Sequence, residues 1–297
     1  MANANAAERR AGWLLVSPPF LYTLLILAVP FSAIVGLAFL GLDGGRVRVP
    51  LAEGDFDKLY PTLDNFIRVF SEPIYRVVML RSLLIGFFVT LATVLMAYPI
   101  AYFVSFHVHP SKKALWIFLI TIPFWTSYII RLALWRTILG YNGIFDNFVG
   151  LFGIDPVNIL ANAPLAIVIT LSHAFAPFAV LPIFVALEKV DRSLLEAGQD
   201  LGETRWTTFL RVTLPLSMGG VLAAVLIVFI PVAGDYVTAK LMGGSTTPMI
   251  ANLVEVEMLR KRDHAMGSAV AVTAMALVAI ISLIFVLFNR RYLGGRK

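Results

Sequence analysis

Residues 191–215 read DRSLLEAGQDLGETRWTTFLRVTLP. This is the longest polar interruption between two strongly apolar runs, yet it keeps a helical pattern. Leu194, Leu195, Gly198, Leu201 and Gly202 fall at i, i+1, i+4, i+7 and i+8, which makes one helix face apolar or small. Ser193 followed by Glu196 fits a capping box, so the spacing predicts a helix that begins there. Gly202 can end it, because glycine takes the left-handed conformation cheaply. A second short helix over Glu203–Arg211 is expected to stop at Pro215. Two short helices set at an angle between apolar runs make a protruding knob, about residues 188–217, rather than a plain turn.

The sequence on either side of the knob is that of an integral membrane protein. Of its 297 residues 59% are hydrophobic and 14% charged, with a mean hydropathy of +0.84. Soluble domains are nearer one half apolar and one quarter charged. Crossing about 30 Å of hydrocarbon takes roughly 20 helical residues. Stretches near Trp13–Leu40, Met79–Phe106, Ala114–Leu139, Pro164–Leu187, Met218–Leu241 and Met266–Phe288 are long enough. The expected fold is therefore all-α: a single polytopic membrane domain over 1–297 with about six membrane helices. Pro30, Pro99, Pro123, Pro177, Pro182 and Pro231 lie inside these runs, which membrane helices tolerate when neighbours satisfy the freed carbonyls. The first run is too long for a signal-peptide core and reads as an uncleaved span.

An even number of spans puts both termini on one side. The short polar segments are dense in Arg and Lys: Arg9 and Arg10; Lys112 and Lys113; Lys189, Arg192, Arg205 and Arg211; Arg290, Arg291, Arg296 and Lys297. The positive-inside rule weighs short loops most, so these segments and the knob are expected in the cytoplasm. The formal charge of +6 reflects this topology. No basic cluster with interleaved aromatics points to nucleic acid. The loop Gly41–Val78 carries apolar spacing for a short interfacial amphipathic helix, and the loops Tyr141–Asn162 and Gly243–Ala265 are similar. Glu255 and Glu257 are expected to be solvated outside the membrane.

Charges at membrane depth are costly and mark candidate sites. Arg131 lies in the third run and Asp235 in the fifth. Counted as straight helices from the inner face, both reach roughly 25 Å at 1.5 Å per residue. Two readings follow: a buried Arg131–Asp235 ion pair that orients helices, or an Asp235 that faces a pathway and attracts a cationic solute. Pro231 and Gly234 predict a broken helix just before Asp235, and broken helices line solute sites in transporters. Trp125, Tyr128 and Tyr236 lie at matching depth. Their ring faces attract cations by about 0.5–2 kcal/mol, although the same residues also serve as interface belts or packing. The chain has no cysteine, and its four histidines are scattered rather than set as three or four converging ligands, so no metal site is expected. It also has no G-x-x-x-x-G-K-[ST] loop and no paired catalytic groups, so no cofactor and no enzyme activity are expected in this chain.

The knob resembles the EAA loop of ABC-importer permeases: Glu-Ala-Ala, three residues, Gly, nine residues, Ile, one residue, Leu-Pro. Here Glu196, Ala197, Gly198, Gly202, Val212, Leu214 and Pro215 keep that spacing, with Gly198 for the second Ala and Val212 for Ile. IPFWTSYIIR, GDYVTAKLMGG and PMIANLVEVE are similar to the spermidine/putrescine branch of these permeases. The resemblance implies coupling by Glu196, Ala197, Gly198, Gly202, Leu214 and Pro215. It also implies two ATPase subunits that bind ATP and Mg, a second homologous permease, and an external substrate-binding protein. A polyamine is the implied solute; relatives also import opine-like compounds, other organic cations, thiamine or ferric iron. A stand-alone secondary transporter is the rival class, for which Asp235 is the clearest coupling acid.

Overall fold

The computed structural model describes residues 2–43, 45–51, 54–153, 155, 158–244 and 246–293. The chain falls into two compact units: Met1–Glu72 with Val254–Thr273, and Pro73–Leu253 with Ala274–Lys297. In chain order the helices and strands are α1 Ala2–Ala38, β1 Leu40–Leu42, β2 Leu59–Pro61, α2 Asp64–Ser71, α3 Pro73–Phe106, α4 Pro110–Trp125, α5 Tyr128–Leu139 and α6 Ile144–Gly150. They continue as α7 Ala163–Leu187, α8 Arg192–Asp200, α9 Arg205–Thr208, α10 Leu214–Ala233, α11 Ile250–Glu255, α12 His264–Phe288 and α13 Arg290–Leu293. Wider π-helical turns cover Phe209–Thr213, Ala239–Gly243 and Val256–Arg260.

Among the described residues five helical segments are long and apolar enough to cross a membrane: Leu15–Ala38, Pro73–Phe106, Ala163–Leu187, Arg205–Ala233 and His264–Phe288. The sixth expected span falls on a broken pair, Pro110–Trp125 and Tyr128–Gly150, bent by 86° at Thr126–Ser127. Pro123 lies in the last turn of α4, and Thr126 and Ser127 adopt extended ψ values of 150° and 130°. These two extended residues interrupt the helical hydrogen-bond ladder, so the helix does not run on past Trp125. The straight-helix count that put Arg131 roughly 25 Å up its span is therefore corrected: α5 turns away before Arg131 is reached.

In the first unit, β1 and β2 form an antiparallel hairpin with Leu40 opposite Pro61, Gly41 opposite Tyr60 and Leu42 opposite Leu59. The buried Asn65 of α2 donates to Ala38 O and Leu40 O at 3.2 and 2.9 Å, which ties the expected amphipathic helix to the end of α1. Chain-distant partners close the unit: His264 N–H donates to Val47 O at 2.9 Å, and Val49 N–H to His264 Nδ1 at 3.3 Å. Glu257 is not solvated as expected. It is 3% exposed and its Oε1 accepts from Lys261 Nζ at 2.6 Å. The two lie at i and i+4 along the π-helical turn, so the pair neutralises the acid where it is buried.

In the second unit α3, α7 and α10 pack into one core. Val89, Ala97 and Ala101 of α3 meet Ala166, Leu171 and Val180 of α7 and Ala224, Val228 and Val232 of α10, all buried. Small residues permit this close approach, which drives helix association where lipid supplies no hydrophobic contrast. Tyr98 Oη and Ser217 Oγ lie 2.7 Å apart and bridge α3 to α10. Gly220 marks a close approach of α10 to α7: a Cβ there would run into Pro182 O, and would lie 2.5 Å from Ala186 Cβ. Gly220→Leu should separate α7 from α10 and cost roughly 1–3 kcal/mol, read as an earlier melt in detergent. Gly219→Ala is the control, since its nearest contact is Tyr292 O at 3.4 Å.

Candidate functional site

Two helix breaks meet in the second unit. One separates α4 from α5. The other follows α10, where Pro231 sits in the last turn and Gly234 caps the end. Asp235 stands in this second break and is half-buried. Its Oδ2 accepts from Tyr128 Oη at 2.7 Å, and its Oδ1 accepts from Thr238 N–H at 2.8 Å. Tyr128 Oη also lies 2.7 Å from Thr238 Oγ1. The first residue of α5 is thereby fixed to the turn after α10. Thr238 was not singled out from sequence, although its place three residues after an aspartate is the spacing of a local cap.

No Arg131–Asp235 ion pair forms among the described residues. Arg131 is buried, its Nη2 donates to Thr126 O at 3.2 Å, and its Nε has no acceptor. The bend explains the difference, because it turns the guanidinium back onto a carbonyl that the break leaves free. Of the two readings, the helix-orienting ion pair is therefore not the one observed. The aromatic residues divide as well. Arg131 lies 6.0 Å from the Tyr128 ring centroid, and Lys240 Nζ lies 5.4 Å from that of Tyr236. Trp125 at the end of α4 is 79% exposed and Tyr236 40% exposed. On the next turns of α5, Trp135 Nε1 donates to His173 Nδ1 of α7 at 3.2 Å. Nothing in the spacing of His173 along the sequence points to this partner.

The knob is built as two short helices, with changed details. Asp191, not Ser193, is the N-cap of α8: its Oδ1 accepts from Ser193 N–H at 3.0 Å. Aspartate caps as well as serine, and it comes first in the chain. The backbone N–H and hydroxyl of Ser193 hold the Asp191 carboxyl below the usual carboxylate range. Glu196 is then released from capping and is exposed, as is Ala197. Gly202 ends α8 as expected. With φ at +83°, it lets its own N–H bond Gln199 O at 2.9 Å and Glu203 N–H bond Gly198 O at 3.1 Å. Gly198 is buried against α9, where a Cβ would lie 3.2 Å from Thr208 Cγ2.

Pro215 does not stop the second helix. The π-helical turn Phe209–Thr213 leads straight into α10, with Pro215 at its second position. The proline is accommodated because the wider turn just ahead of it already loosens the hydrogen-bond ladder where its donor is missing. The result is one apolar rod over Arg205–Ala233 that carries the knob at its foot. Phe209 anchors that foot, 5.6 Å edge-on from Tyr98 of α3, and Leu214 packs on the core. The outer side of the knob shows Leu201 at 86% and Trp206 at 68% exposure. The Trp206 ring stacks on Phe209 at 5.4 Å between centroids and leaves its other side open.

At the root of the knob, Glu188 Oε1 accepts from Lys113 Nζ and from Ser105 Oγ, each at 2.6 Å. Burial pushes the Glu188 carboxyl up, but the hydrogen bonds from Lys113 and Ser105 and the charges of Lys113 and Arg192 outweigh it. The group stays below its ordinary range and is therefore ionised near neutral pH.

Residues 10–294 match the family model described as the binding-protein-dependent transport system inner membrane component. The chain belongs to that family. Among similar proteins, the permease is 34% identical over 280 residues to the spermidine/putrescine transport system permease protein PotB of Haemophilus influenzae, covering 94% of this chain and 93% of that one. It is 33% identical over 266 residues to the protein of the same name from Escherichia coli K12, covering 89% and 92%. Its fold matches a chain in the crystal structure of a bacterial ABC transporter that imports the acidic polysaccharide alginate. There the TM-score is 0.71 at 17% identity, covering 97% of the permease and 99% of that chain. A second structure of the alginate transporter, in complex with its pentasaccharide-bound periplasmic protein, gives a TM-score of 0.72 at 16% identity over 98% and 97%. The permease is thus a multi-pass inner-membrane subunit of an ABC importer of the polyamine type.

Proposed function

We propose that the permease moves a polyamine such as spermidine or putrescine into the cytoplasm by alternating access, with Asp235 as the anionic point that receives an ammonium group. The observation that carries this reading is the half-buried Asp235 carboxylate at the meeting of two broken helices, oriented by Tyr128 and Thr238. Exposed Trp125 borders the first break, and its ring offers a face to further cationic carbon–nitrogen chain, while the Tyr236 ring in the second already carries Lys240 Nζ at 5.4 Å. The names of the PotB relatives, at 33–34% identity, support the same solute class.

In this reading an external binding protein delivers the solute, and a second homologous permease completes the pathway. Two ATPase subunits bind ATP and Mg and grip the knobs from the cytoplasm, where both termini also lie. Glu196, Ala197, Gly198 and Gly202 shape the gripped surface; Leu214 and Pro215 join it to the α10 rod. ATP binding closes the ATPase pair and opens the pathway outward. Hydrolysis reverses this and releases the solute inward. Each state is favoured only by its differential contacts, so the knob stays engaged in both. Co-purification tests the class: an importer permease brings down an ATPase, and a stand-alone carrier does not.

One observation favours a rival solute. The buried Arg131 has an Nε without an acceptor, which suits a solute with a carboxylate, as an opine-like compound has. Uptake of radiolabelled spermidine separates the two. A polyamine site is displaced by putrescine and left untouched by a hundredfold molar excess of an opine. Displacement by the opine alone would reassign the solute.

A further inference from the structure

The knob is joined to three membrane helices by a cluster the transport cycle above does not use. Lys113 belongs to the first turns of α4, Ser105 to the last turn of α3, Glu188 follows α7 directly, and Arg192 opens α8. Glu188 Oε1 receives both Lys113 Nζ and Ser105 Oγ. Arg192 Nη2 donates to Ser105 O at 3.2 Å, and its guanidinium lies 5.9 Å from the Phe106 ring centroid. Four elements thus converge on one carboxylate and one serine.

Helix electrostatics do not account for these charges. A helix N-terminus favours anions and a C-terminus favours cations. Lys113 is the fourth residue of α4 and Glu188 is the C-cap of α7, so each sits at the end that disfavours it. What favours both is their mutual contact. Both side chains are also largely covered, at 14% and 35% exposure, so the pair is less screened than an open surface bridge.

We propose that Glu188, Lys113, Ser105 and Arg192 form a lock that makes the knob one rigid body with the cytoplasmic ends of α3, α4 and α7. Glu188 is the positioning residue at its centre. The α10 rod continues directly from one end of the knob; at the other end the lock braces the short link to α7. A push on α8 then moves the helix ends together instead of bending the link at Lys189–Asp191. This inference rests on the reading of the knob as the surface an ATPase grips.

The absence of cysteine makes a direct test simple. Spin labels on Gln199→Cys and Lys112→Cys, both exposed positions, report the separation of α8 from α4 in the full-length purified permease. The lock gives a narrow distance distribution in the parent. Glu188→Gln and Lys113→Met each broaden it, and Lys113→Arg keeps it narrow. In the assembled transporter, Glu188→Gln retains its ATPase, still hydrolyses ATP, and imports spermidine about tenfold more slowly. Unchanged widths in both Glu188→Gln and Lys113→Met would overturn the lock. Loss of the ATPase from the unmutated permease would instead overturn the reading of the knob, and the distance data would still decide the lock.

Discussion

Asp235→Asn should reduce spermidine uptake roughly 30- to 100-fold while leaving the assembled transporter intact. The change is nearly isosteric. The amide oxygen can still accept from Thr238 N–H or Tyr128 Oη, so the junction between α5 and the turn after α10 keeps its shape. What disappears is the charge. A hydrogen bond to an ionised partner contributes about 1.5–3 kcal/mol, and a tenfold change corresponds to about 1.4 kcal/mol. The loss should appear mainly as a raised KM for uptake, with the binding protein's own affinity unaltered. Tyr128→Phe provides the graded case: it removes one donor to the carboxylate and leaves the charge. Unchanged uptake by Asp235→Asn, with normal amounts of complex in the membrane, would remove Asp235 from the pathway.

The second large effect is expected at Gly198. A Cβ at this position already touches Thr208 Cγ2 at 3.2 Å, and a leucine would push α8 off α9. Both helices bear the exposed tip, Leu201 on one side and Trp206 on the other, so their relative angle sets the shape offered to an ATPase. Displacement of about 1 Å at a positioned surface is enough to cost on the order of 100-fold. Gly198→Leu should insert normally, because α8, which carries it, lies outside the long apolar helices. It should lose most ATP-driven uptake. Gly202→Trp acts through the backbone instead, since φ at +83° penalises a side chain by roughly 1–2 kcal/mol although nothing crowds the site. It should therefore unwind the end of α8 and uncouple transport by a separate route. Normal uptake by Gly198→Leu would show that the angle between α8 and α9 is irrelevant to coupling.

The apolar run lengths were enough to place five membrane helices, because hydrophobic length is a local property of the chain. The same is true of the knob: the position of Gly202 and the small face at Gly198 follow from helical spacing alone. The errors share a cause. Pro123 was visible, but whether it kinks a span or breaks it by 86° depends on which neighbour accepts the freed groups. That in turn decides between the two readings of Arg131, which donates to Thr126 O instead of pairing with Asp235. Glu257 looked solvated because its loop is polar, yet Lys261 one turn on allows it to be buried. Pro215 was read as a stop because a π-helical turn has no sequence pattern that distinguishes it from an α-helical one. Long-range meetings, such as Tyr128 with Asp235 or Lys113 with Glu188, leave no trace in local periodicity.

The most direct test of the account uses Ala197→Cys in a chain that otherwise has no cysteine. With the transporter assembled in inverted membrane vesicles, a short bifunctional thiol-to-amine reagent should join this exposed position to an ATPase subunit. A membrane-impermeant maleimide should reach Ala197→Cys in those vesicles and fail to reach it in intact cells. Labelling of Ala197→Cys from outside intact cells, or its ready labelling in vesicles without any ATPase adduct, would contradict the claim that this knob is the motor's handle.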